Sequence, residues 1–164
     1  MPEERGYAAL VAVFAAGLYL ALLVAAFGMI SLVTNTEVIA DPAVGTLVGP
    51  AMTGAAVLTL LAFLLVRGTR VPAERQRVAP VAALGIGVAC YAAYAAVGGV
   101  AGALGDPAQP LHSLLFAFTQ LASVYAIVVG VAAFVVTLLY QLVLVGRFRQ
   151  RGRPRWPWER DEDE

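Results

Sequence analysis

The chain has 164 residues, 60% hydrophobic and 13% charged, with a mean hydropathy of +0.80 and a formal net charge of zero. Soluble domains carry about a quarter charged residues; a chain this apolar cannot cover its surface with polar groups, and lipid is its natural solvent. The neutral total conceals segregation: all eleven basic residues are Arg, and the long apolar stretches contain no Asp, Glu or Arg.

Crossing a hydrocarbon core about 30 Å thick takes about 20 helical residues. The first apolar stretch, 7–33, is 27 residues long and is predicted to span. It is far longer than the apolar core of a cleaved signal peptide, and its start, Met-Pro-Glu-Glu-Arg, is not net basic. A retained helix is therefore expected, although Val38-Ile39-Ala40 offers the small residues of a cleavage site. Gly17, Ala21, Val24, Gly28 and Ser31 fall in a row at helical spacing. The second stretch, 46–66, fits a crossing with little to spare. It has Pro50 in its first turn, where proline is tolerated, and a row formed by Thr46, Gly49, Thr53 and Ala56.

The third stretch, 78–104, contains ten Ala and five Gly. Small residues let helix backbones approach closely, so this helix is predicted to be the most protein-covered. Gly98 and Gly102 form a G-x-x-x-G pair, and Gly87, Tyr91, Tyr94 and Gly98 share one face. A phenol hydroxyl at mid-bilayer needs a partner, so that face is predicted to look into the bundle. Cys90, the only cysteine, lies here as a small hydrophobe.

The fourth stretch, 111–146, is too long for one crossing and too short for two. Its first part, 111–117, with His112 and Ser113, is placed at the interface and the crossing at about 118–144. Gln120, Ser123, Ile127, Gly130, Phe134, Thr137 and Gln141 form one seam on it. The seam reads as interhelical packing, with hydrogen bonds of about 0.6 kcal/mol each, or as the lining of a solute path.

With four spans, all eleven Arg fall on one side, and the positive-inside rule makes that side the cytoplasm. The expected architecture is all-α: a four-helix antiparallel transmembrane bundle over 1–146 with both termini cytoplasmic. A tail over 147–164 follows, expected to be disordered. In that tail Arg147, Arg149, Arg151, Arg153 and Arg155 precede Trp156-Pro157-Trp158, and the end is acidic. The five Arg and the two tryptophans, Trp156 and Trp158, are candidate contacts for anionic headgroups.

Catalytic chemistry finds little footing. One His and one Cys give no metal-ligand spacing, and the absence of Lys excludes a phosphate-binding G-x-x-x-x-G-K motif. His112-Ser113 has no third member. No Asp, Glu, Arg or Lys lies inside a span, and His112 is placed outside the core, which argues against an ion-coupled transporter. Nucleic-acid binding is disfavoured by the acidic neighbour of the short basic run.

The four spans, the all-Arg face and the Arg153-Pro154-Arg155-Trp156-Pro157-Trp158-Glu159 tail together resemble small four-helix integral membrane proteins of actinobacteria, catalogued as a domain-of-unknown-function family. The resemblance implies a bacterial inner-membrane location and carries no active residue. The functional expectation is a non-enzymatic accessory or scaffolding subunit, without cofactor or metal. Its partners are the lipid bilayer and either its own copy or another membrane protein. The alternative is a small oligomeric permease or channel for a neutral or apolar solute.

Overall fold

A computed structural model of the chain describes residues 2–35, 47–71, 77–105 and 121–150. Among them are four α-helices and no strand: α1 (Pro2–Thr34), α2 (Val48–Arg70), α3 (Pro80–Gly105) and α4 (Val124–Gln150). Each is long and apolar enough to cross a bilayer, so the chain is an all-α, multi-pass membrane protein.

The helix ends follow local chemistry. α1 stops where Asn35 takes φ 51°, the left-handed conformation that asparagine tolerates better than most residues. α2 opens with the Ala51 N–H bonded to the Leu47 carbonyl at 3.0 Å. It closes at Val71, whose extended backbone (φ −90°, ψ 118°) is the conformation that the following Pro72 favours. Pro80 takes the first position of α3, where its missing N–H is no loss.

The fourth helix begins within the described residues at a local break. Ala122 and Ser123 interrupt the helical path, and α4 runs from Val124 to Gln150. Ser123 is the cause: its Oγ accepts the Tyr125 N–H at 3.2 Å, while its carbonyl accepts the Ile127 N–H at 3.2 Å. That is an N-cap, a helix start that hydropathy cannot register. Positions 111–120, including the expected interfacial stretch, lie outside the described residues, as does the 151–164 part of the tail.

The helices pack as a ring, α1 on α2, α2 on α3, α3 on α4 and α4 back on α1, with α2 and α4 meeting only slightly across it. The interior takes residues at intervals of three and four from every helix. Ala8, Ala12, Ala15, Tyr19 and Leu23 come from α1, and Met52, Ala56, Leu60 and Leu64 from α2. Ile86, Cys90 and Tyr94 of α3 meet Ala126, Val129, Ala133, Val136, Tyr140 and Leu144 of α4. The outside is equally apolar, with Phe14 71%, Val81 84% and Leu32 86% exposed. In water such a surface would aggregate; in a bilayer it is the lipid face.

One expectation about faces changes. α3 is not uniquely covered: α3 and α4 each bury 39% of their spanning windows, against 28% for α1 and 22% for α2. A ring gives every helix two neighbours, so none is central. On α1, Gly17, Ala21, Val24 and Gly28 are exposed and Ser31 is half-exposed, because the inward face belongs to the Ala8–Leu23 row.

Candidate functional site

Every polar group inside a span needs a partner, because hydrocarbon offers none. Three tyrosines meet this need across helix boundaries. The Tyr19 hydroxyl on α1 donates to the Val129 carbonyl of α4 at 3.0 Å. The Tyr140 hydroxyl on α4 lies between two acceptors, the Leu64 carbonyl of α2 at 3.2 Å and the Ala8 carbonyl of α1 at 3.3 Å. The Tyr91 hydroxyl on α3 donates to the Leu121 carbonyl, just ahead of α4, at 2.5 Å. Each hydroxyl therefore holds a neighbouring segment through its backbone.

Two glycines make the contacts possible. A Cβ at Gly68 would overlap the Tyr140 hydroxyl and lie 3.0 Å from the Ala8 Cβ, so only glycine admits this junction of α1, α2 and α4. A Cβ at Gly87 would stand 2.8 Å from the Gly130 carbonyl oxygen and 3.3 Å from the Phe134 Cβ. Here α3 and α4 meet nearly backbone to backbone.

At the Arg-bearing end, Gln141 Oε1 accepts the Ala79 N–H at 2.7 Å, tying α4 to the start of α3. The opposite end is held by rings. Phe27 of α1 stands edge-on to Tyr94 of α3 (centroids 6.1 Å apart) and to Tyr125 of α4 (5.3 Å).

The residues singled out from the sequence divide accordingly. Gly87, Tyr94 and Gly98 are buried and Tyr91 is half-buried. Gly102 lies in α3, but its surroundings fall outside the described residues. The close α3–α4 crossing is at Gly87 and Gly130. The α4 seam does not face one way: Ile127 is 52% exposed, whereas Thr137 and Gln141 are buried. Ser123 serves as the α4 cap, and Gln120 lies outside the described residues. Arg147 sets its guanidinium carbon 4.2 Å from the centre of the Tyr7 ring, joining the start of α1 to the end of α4. The Arg149 side chain and Arg151, Arg153, Arg155, Trp156 and Trp158 lie outside the described residues.

Sequence reading missed Tyr19, Tyr140 and Gly68. The available signal was a tyrosine deep in an apolar span on each of α1 and α4. Three buried polar atoms have no partner among the described residues: Tyr94 Oη, Thr137 Oγ1 and Gln141 Nε2. No group of three His, Cys, Asp or Glu side chains among those residues could hold a metal ion.

The chain belongs to a family of unknown function, DUF6121, which matches it over residues 1–164. Neither the curated proteins nor the solved structures contain a match to it.

Proposed function

We propose that this protein is a non-enzymatic accessory or scaffolding subunit of a bacterial inner membrane, with both termini cytoplasmic, acting by helix packing against another membrane protein or its own copy. One observation carries the reading: the outward row Gly17, Ala21 and Gly28 on α1. A Cβ added at Gly17 or Gly28 would meet nothing within 4 Å, so the bundle itself has no use for these glycines. An exposed row of small residues lets a further helix approach closely, which is how helices associate where lipid removes the hydrophobic drive between them. The inward polar groups support the same reading, since most bond to helix backbones. The orientation rests on Arg5, Arg67, Arg70, Arg77 and Arg147, which the helix directions gather at one end.

Purification in mild detergent should return a defined oligomer or a stoichiometric membrane partner. Gly17→Leu with Gly28→Leu should abolish that assembly while leaving the thermal stability of the bundle unchanged. A wild-type monomer without partner would defeat the proposal.

A second reading, a permease for a neutral or apolar solute, draws on Thr137 Oγ1 and Gln141 Nε2, one turn apart on α4 and without a partner among the described residues. Flux in reconstituted vesicles tests it. Gln120→Leu with Gln141→Leu should reduce a genuine flux, and unchanged flux would return the seam to packing.

A further inference from the structure

At the Arg-bearing end, a cleft opens between the end of α2, the lead into α3 and the last turns of α4. Among the described residues it is lined by Arg67, Val71, Arg77, Tyr140, Gln141, Leu144 and Val145, and it is partly open, with room for a water-sized group.

Its polar lining consists almost wholly of donors. Arg67 is half-exposed and Arg77 exposed, so both guanidinium groups can sit at the mouth. Behind the mouth lies Gln141, 4% exposed, whose Nε2 is closed off from the cleft and has no partner among the described residues. Its orientation is fixed by chemistry: the Ala79 N–H can only donate, so the amide oxygen must face it and the amide nitrogen must point away. The Tyr140 proton is already engaged by the Leu64 and Ala8 carbonyls. The first turn of α3 adds the positive end of its helix dipole. Among the described residues no carboxylate lines the cleft.

We infer that this cleft binds the phosphate of an anionic phospholipid headgroup. The phosphate oxygens accept from the Arg67 and Arg77 guanidinium groups at the mouth. Among anions, a lipid phosphate suits the place, because the cleft sits where span ends meet the headgroup layer and basic pockets between transmembrane helices select such groups. The proposal rests on Arg67 and Arg77 and not on the arginine tail, and it is independent of the accessory role and of which way the chain is oriented.

The test uses the full chain in neutral detergent, titrated with phosphatidylglycerol or phosphatidylcholine of matched acyl chains, with retained lipid read by native mass spectrometry. The wild type should prefer phosphatidylglycerol, and each arginine should contribute about fivefold. Arg67→Gln with Arg77→Gln should therefore erase a preference of about 25-fold. Arg149, Arg151, Arg153 and Arg155 replaced together by Gln should leave it intact. Thermal unfolding of each variant checks that the bundle still forms; Arg67→Lys with Arg77→Lys, which keeps the charge, should keep part of the preference.

A preference that survives the double Arg67/Arg77 change, or disappears with the tail variant, overturns the inference. Inorganic phosphate at millimolar concentration should fail to displace the lipid; displacement would make free phosphate the ligand and overturn the lipid assignment. A wild type indifferent to headgroup, with a preference gained on Glu74→Gln, would assign both guanidinium groups to the chain's own carboxylate and likewise overturn it.

Discussion

The two ends of the bundle solve the same problem differently. At the Arg-bearing end, helices are joined by directional bonds to backbone carbonyls: Tyr140 to Leu64 and Ala8, and Gln141 to Ala79. At the other, Phe27 stands edge-on to Tyr94 and Tyr125, and the Tyr94 hydroxyl has no partner among the described residues. Lipid tails are as apolar as leucine, so neither end gains from hydrophobic burial as a soluble bundle would. The first gains from hydrogen bonds made possible by a glycine, the second from ring geometry and dispersion. The first should fail sharply when a single atom is added, and the second should tolerate loss of a polar atom.

Five substitutions test that contrast, measured as unfolding free energy in mixed micelles. Gly87→Leu should be the most damaging, about 3 kcal/mol, because the Cβ meets the Gly130 carbonyl and a backbone cannot step aside. Gly68→Ala should lose about 2 kcal/mol, since one methyl group displaces the Tyr140 hydroxyl and presses on Ala8. Phe27→Leu removes both edge-on contacts and should lose about 1.5 kcal/mol, the largest change available at the aromatic end. Tyr140→Phe should cost about 1 kcal/mol, within the range of hydrogen bonds between membrane helices. Tyr94→Phe should change stability by roughly zero or raise it slightly, because the hydroxyl it deletes is buried without a partner among the described residues. Equal costs for Tyr140→Phe and Tyr94→Phe would erase the distinction between the ends.

The four crossings were legible in the sequence because a bilayer imposes one dominant requirement, a long run without charge, and 7–33, 46–66 and 78–104 meet it plainly. The inward placement of Gly87, Tyr94 and Gly98 was legible too, since a tyrosine in hydrocarbon must face protein. The choice among glycines was not. α3 contains several pairs at helical spacing, and which one meets another backbone depends on the partner's surface; Gly130 on α4 decided for Gly87. On α1, periodicity found a true row but not its direction, because in lipid both faces of a helix are apolar and the usual contrast between core and surface is missing. Ser123 misled for a related reason. A serine at seam spacing looks like lining, and only the backbone shows that its oxygen is engaged in starting α4.

The contact between α1 and α4 also has a consequence for biogenesis. Tyr19 reaches Val129 across 110 residues of sequence, and Tyr140 reaches Ala8 across 132. During synthesis the first helix enters the membrane long before its lateral neighbour exists, so the ring must stay open until the last helix is inserted. Until then the Tyr19 hydroxyl faces the bilayer or the insertion machinery without its native acceptor. Closure is thus the final step of assembly, and a ribosome stalled before α4 leaves three helices with an open flank, a natural substrate for membrane quality control.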